Sequence, residues 1–105
     1  MKIIYNNIIP VKGFTAINIF GVVFARKGKV VGQKTINHES IHTAQIKELL
    51  YIFFYLLYII EWLIKLIKYR KQAYTNISFE REAYGNDRNA DYLKQRKRYA
   101  WIKNI

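Results

Sequence analysis

The sequence predicts an α+β fold, a short N-terminal antiparallel β segment followed by two or three helices. Three observations carry this. Residues 1–36 are rich in Ile, Val and Phe but are interrupted by Pro10 and by glycines at 13, 21, 28 and 32, which suits short strands and turns. From Asn37 to about Arg70 helical spacing continues without Gly or Pro. A further helical stretch covers about 78–98. The length of 105 residues is that of one domain with a modest core.

Taken in order, "KIIYNNII" (2–9) reads as a strand closed by Pro10. Residues 14–26 supply one or two more strands, with "RKGK" (26–29) as the turn, so that one antiparallel pair is expected. Asn37 is the expected N-cap of the first helix, because its side-chain oxygen can accept a free first-turn N–H. The stretch 37–70 is long for one helix and is expected to break near Glu48 or near Glu61–Trp62. "YRKQAYTNIS" (69–78) reads as a connector whose Asn76 or Ser78 caps the next helix. Gly85 is unfavourable within that helix.

The most apolar segment is "LLYIFFYLLYIIEWLIKLIKY" (49–69), uncharged for twelve residues from Leu49 to Ile60. A spanning helix needs about 20 mostly apolar residues, and Glu61, Lys65 and Lys68 intrude on that length. Glu48, Tyr51, Tyr55, Tyr58, Glu61, Lys65 and Lys68 recur at steps of three and four, so one semi-polar stripe runs along an otherwise apolar helix. This suits a core helix with one wet face, or a helix lying on a membrane with its Tyr and Lys at headgroup level.

Composition narrows the function classes. With 51% hydrophobic and 16% aromatic residues the chain is not a disordered one. It has no cysteine, which excludes disulfides, thiolate metal sites and a cysteine nucleophile. The N-terminus lacks the long apolar run of a signal peptide, so the expectation is a location in the cytoplasm or on the cytoplasmic face of the membrane. The net charge is +11, with basic clusters at Arg26–Lys29, Lys65–Lys71 and Lys94–Arg98. Such charge favours an anionic membrane surface; nucleic acid is not an expected partner, since no reading motif accompanies it. Nothing in the sequence sets the oligomeric state.

Chemistry is concentrated in "INHESIHTAQ" (36–45), which holds both histidines of the chain. On a helix His38 and His42, four apart, project from one face and can share a cation. Glu39 stands about 100° round the helix, where it can reach a water on that cation as a general base. A catalytic zinc commonly has three protein ligands, and with no third His the remaining one must be a carboxylate. "ISFEREAYGND" (77–87) offers Glu80 and Glu82, which face different ways on a helix, so one of them is the ligand candidate. Asp87 and Asp91 are alternatives, or partners that orient a ligand histidine.

"NHESIHTAQ" followed by "FEREAY" resembles the gluzincins, zinc metallopeptidases whose third ligand is a Glu on a later helix, and among them the compact minigluzincin-type domains. Those pair H-E-x-x-H-x-x-Q with E-x-x-A-D. The resemblance covers roughly residues 36–87 and implies one Zn²⁺ held by His38, His42 and Glu80, Glu39 as the general base, Gln45 within the first motif, and Glu82 or Asp87 as a supporting residue or alternative ligand. Tyr84 stands where the family pattern has Asp, a role that would pass to a residue such as Asp87. Tyr84 and Tyr92 are the candidate oxyanion donors. The resemblance further implies that the β segment before His38 lines a cleft and pairs with an extended peptide. The expected function is therefore peptide-bond hydrolysis by a zinc-activated water. The alternative is a non-catalytic zinc-binding or membrane-surface module with a basic, amphipathic helix.

Overall fold

A computed structural model describes residues 2–10 and 14–105 of the chain. Three strands, β1 (Ile3–Asn6), β2 (Ala16–Ile19) and β3 (Val22–Arg26), form a sheet of order β1-β3-β2. Four helices follow: α1 (Gln33–Glu48), α2 (Ile52–Tyr69), α3 (Ser78–Asn86) and α4 (Tyr92–Gln95). Short 3-10 turns occupy Arg70–Gln72, Tyr74–Asn76 and Ala100–Asn104. The architecture is α+β.

The sheet is mixed rather than wholly antiparallel. β2 pairs antiparallel to β3, while β1 pairs parallel to the other edge of β3. The Asn6 side-chain oxygen accepts the N–H groups of Ile8 and Ile9, a local turn that ends β1 before Pro10. The hairpin turn lies at Phe20–Gly21, not at "RKGK" as the sequence suggested. Both residues have positive φ, 52° and 90°, as a two-residue hairpin with the right-handed strand twist requires. Phe20 tolerates this because its N–H donates to the Tyr55 hydroxyl on α2, and the Gly21 N–H donates to the Asn18 side chain. Arg26–Lys29 turns as well, but leads out of the sheet into α1.

α1 begins a turn before the expected cap. Gly32 occupies the N-cap, and Asn37 lies within the helix. The Asn37 amide instead donates to the Asp87 carbonyl. Tertiary pairing thus takes the side chain that local propensity assigned to the helix end.

The long helical stretch breaks at Leu49–Tyr51, and the axes on either side differ by 110°. The Tyr51 N–H bonds to Ile46 O and the Leu50 N–H to Lys47 O, a Schellman closure with Leu50 at the left-handed position (φ 54°). The break falls at the first of the two places expected, next to Glu48, although the left-handed position is filled by leucine rather than the usual glycine. Leu50 is 70% exposed, so its side chain contributes little packing. Leu50→Gly is therefore expected to stabilise the fold by about 0.5–1 kcal/mol, seen as a higher urea midpoint at unchanged slope.

α2 packs inside out relative to a core helix. Phe54 and Lys65 are buried, and Tyr55, Tyr58 and Glu61 are half-buried against the protein, while most of the large apolar residues between them face outward. The middle of the semi-polar stripe, from Tyr55 to Lys65, is thus the side that the fold uses rather than a wet face, while its ends, Tyr51 and Lys68, stay exposed. No helix among the described residues is by itself long and apolar enough to cross a membrane.

α3 starts at Ser78 without a cap from Asn76 or from Ser78 itself. The Glu61 carboxylate of α2 accepts both the N–H and the hydroxyl of Ser78, at 2.6 Å each, placing an anion at the helix N-terminus. The helix ends at Asn86 rather than continuing to the nineties, since Asp87 is drawn out towards α1, its carbonyl to Asn37 and its carboxylate to His38. The core joins Ile46, Phe54, Ile77 and Phe79. Trp101, from the C-terminal 3-10 turn, closes it by packing on Phe79 with ring centroids 4.6 Å apart.

Candidate metal centre

α1 and α3 pack side by side, and this contact builds the site. His38 and His42 stand one turn apart on α1, and Glu80 faces them from the first turn of α3. His42 Nε2 lies 3.1 Å from His38 Nε2 and 3.0 Å from Glu80 Oε1, and His38 Nε2 lies 3.3 Å from the same Glu80 oxygen. Three ligand atoms therefore form a triangle with edges of 3.0–3.3 Å. A tetrahedral cation with ligands at about 2.0–2.1 Å has ligand edges of roughly 3.3 Å, so the triangle fits such an ion.

The tautomers follow from the partners on the far side. The Gln45 amide nitrogen donates to Phe79 O and to Glu82 Oε1. Its oxygen consequently faces His42, which must donate from Nδ1 at 2.8 Å. His38 Nδ1 faces the Asp87 carboxylate at 3.3 Å, an acceptor only. In the neutral rings both Nε2 lone pairs then point at Glu80 Oε1. Two lone pairs and a carboxylate oxygen this close repel unless a cation or a proton lies among them.

Without metal, that charge is a proton. Burial opposes a charge on His42, but the adjacent Glu80 carboxylate outweighs it and raises the imidazole to about 9 from an ordinary 6.5. Burial would by itself push the Glu80 carboxyl up, yet the two histidines and the Tyr58 hydroxyl hold it well below its usual range. A raised imidazole pKa stabilises the fold fully below pH 6.5, and that contribution disappears as pH rises through about 9. The depressed carboxyl contributes above its ordinary 4.5 and is lost as pH falls. Metal-free protein is therefore expected to lose stability from pH 6.5 to about 9, measured by urea midpoints in chelator. His42→Gln should flatten that limb.

Glu39 is 6% exposed and contributes to the wall of the adjoining cavity together with His42 and Glu80. One of its carboxylate oxygens, Oε2, is buried with no hydrogen-bond partner. Burial raises its pKa, and the two histidines oppose that rise. A buried carboxylate with an unpartnered oxygen on the same cavity wall as His42 and Glu80 is chemically able to accept a proton there.

The other residues singled out from sequence divide clearly. The structure brings Asp87 to His38, while Glu82 points away from the triangle. Its carboxylate receives Gln45, Tyr92 and Arg96, so it acts on His42 only through Gln45. Tyr92 is not placed to meet an oxyanion, since its hydroxyl is bound to Glu82 at 2.6 Å. Tyr84 lies edge-on to His38, ring centroids 4.4 Å apart, with its hydroxyl directed to Tyr74 at 3.4 Å. Asp91 is exposed and pairs with Lys94.

Sequence reasoning missed Tyr58, Tyr74 and Asn18. The Tyr58 hydroxyl donates to Glu80 Oε2 at 2.7 Å, leaving Oε1 for the histidines. Burial and the Glu80 charge raise both Tyr58 and Tyr74, so each stays a neutral donor. Both contribute to the cavity wall. Asn18 of β2 donates to Glu39 O and to the Thr43 hydroxyl, tying the sheet edge to the motif turn of α1. The only signal for Tyr58 was its membership of the semi-polar stripe.

The cavity holds about 470 Å³. All four residues of β2 contribute to it, and apart from the acid–base groups, Asn18 and the tyrosines its lining is mostly apolar. No family model, curated protein or solved structure matches the chain.

Proposed function

We propose that this chain is a small zinc-dependent peptide hydrolase in which His38, His42 and Glu80 hold the metal and Glu39 is the general base. The observation that carries the reading is the convergence of two imidazole lone pairs and one carboxylate oxygen at tetrahedral ligand spacing. A His₂-carboxylate set without sulfur suits zinc, which when bound polarises a carbonyl and lowers the pKa of its water towards 7.

The protein's own groups supply the rest. Asp87 and Gln45 hold the two rings with their Nε2 atoms inward. Tyr58 fixes the rotation of the Glu80 carboxylate. Glu39 accepts the proton of the attacking water and can return it to the leaving amine. Tyr74, a neutral hydroxyl on the cavity wall, is a candidate donor to the developing oxyanion. β2 is an edge strand with one side unpaired in the sheet order, and it contributes to the cavity wall. An extended peptide can add to such an edge while placing an apolar side chain in the cavity, which supports a peptide as the substrate class.

Metal analysis of protein purified without a histidine tag tests this. About one zinc per chain is expected, falling to background in His38→Ala and in Glu80→Ala. Less than about 0.2 zinc per chain, unchanged in His38→Ala, would overturn the assignment, because a formed three-ligand site retains its metal.

A further inference from the structure

The outer face of α2 has no partner within the chain. Thirteen large apolar residues between Leu50 and Ile67 are exposed, among them Ile52 at 65%, Phe53 at 54%, Leu63 at 52% and Ile67 at 85%. At 100° per residue the inward positions, Phe54, Tyr58, Glu61 and Lys65 with Tyr55 at their margin, occupy roughly one third of the circumference, and the outward two thirds carries no charge from Ile52 to Ile67, about 24 Å. Monomeric proteins rarely leave so large a continuous apolar surface to water.

We infer that this face seats α2 in the plane of an anionic lipid bilayer, at the boundary between headgroups and acyl chains. Its shape favours lipid over a rigid partner. A convex surface covering two thirds of a cylinder is enveloped by a fluid layer, whereas a second copy would cover only a seam and leave the flanks wet. Charge points the same way. The chain carries +11, which opposes self-association and attracts anionic headgroups. Exposed Lys68, Arg70 and Lys71 follow the apolar face, and exposed Lys47 precedes it, so cations bracket the helix where headgroups would lie. Crossing is excluded by the inward stripe, whose Tyr58 and Glu61 are bound to Glu80 and Ser78.

The surface continues on to the sheet. Exposed Phe20 packs against Tyr51 and Tyr55, with ring centroids 6.2 and 5.1 Å apart, and Tyr55 contributes to the cavity wall. Phe14 and Ile17, also on the cavity wall, are 55% and 42% exposed. A bilayer on α2 therefore adjoins the cavity. The docking itself does not depend on whether the site holds metal.

Trp62 is 40% exposed on α2, and the only other tryptophan, Trp101, is buried, so the native chain carries its own probe. The chain is expected to float with phosphatidylcholine vesicles containing phosphatidylglycerol and to bind pure phosphatidylcholine less. Its emission should shift to the blue and be quenched by brominated lipid, and Trp62→Phe should remove both responses while binding persists. Leu56→Glu with Leu63→Glu should weaken partitioning at least about tenfold with circular dichroism unchanged, because both side chains are exposed. The inference is overturned if the chain does not float with the anionic vesicles at low salt. It is overturned equally if Trp62 emission stays unshifted in bound protein, which would place the contact on the basic clusters alone. Sedimentation showing a dimer that Leu63→Glu dissociates, with no vesicle binding, would assign the face to a second copy instead. If the double variant does not fold, the Trp62 readout of the unaltered chain decides.

Discussion

Glu39→Gln is expected to leave about one zinc per chain in place while slowing peptide hydrolysis by about 10²–10⁴-fold. The substitution preserves shape in a position only 6% exposed, and it replaces an oxygen that already lacks a hydrogen-bond partner. Folding and metal retention should therefore change little. What disappears is the ability to take a proton, for which burial has raised this carboxyl from its ordinary value. Zinc content by mass spectrometry and single-turnover rates on a quenched peptide with apolar side chains would be measured together. Hydrolysis that persists in a zinc-loaded Glu39→Gln protein would show that another group takes the proton.

The second large effect is expected outside the candidate metal triangle. Arg96 pairs with Glu82 through Nε and Nη2 and with Glu48 through Nη1 and Nη2, with distances of 2.5–3.1 Å. All three side chains are at most 6% exposed. Removing the guanidinium leaves two carboxylates buried without a cation, so Arg96→Met should cost about 3–5 kcal/mol of stability. The loss should also reach the site. Glu82 anchors Gln45, and Gln45 holds the His42 ring, so zinc affinity in the folded fraction should fall roughly 10–100-fold. Arg96→Lys keeps the charge but not the fork, and should lie between. Urea titration and competition with a zinc chelator would check both. A stability within about 1 kcal/mol of the parent for Arg96→Met would mean that the network contributes much less than its burial implies.

These two residues differ in how far the sequence exposed them. Glu39 stands inside a motif whose spacing has local meaning, since residues four apart share a helix face whatever surrounds them. Arg96 read as one member of a basic cluster near the C-terminus. Its partner Glu48 is 48 residues away, and nothing in the local pattern separates it from the solvated Lys94. Tyr58 poses the same difficulty, 22 residues from the Glu80 carboxylate it orients, whereas Asp87, 49 residues from His38, was named from the sequence as one option among several. The break just after Glu48 was one of the two expected from the length of the stretch, but its left-handed residue was not. Left-handed backbone usually announces itself with glycine, and here the hydrogen bonds of the closure impose it on leucine.

By itself, the sequence determined the α+β class, the change from strand to helix spacing, and the placing of His38 and His42 on one face of a helix. All of these follow from local periodicity and from where glycine and proline fall. Only the tertiary structure decided which glutamate meets the histidines, which way the stripe of α2 turns, and that β1 runs parallel to β3. A helix with one semi-polar stripe can bury either side, and its own composition favours burying the apolar one. Here Tyr58 and Glu61 turn inward because Glu80 and Ser78, in the first turn of α3, offer partners that α2 alone cannot show.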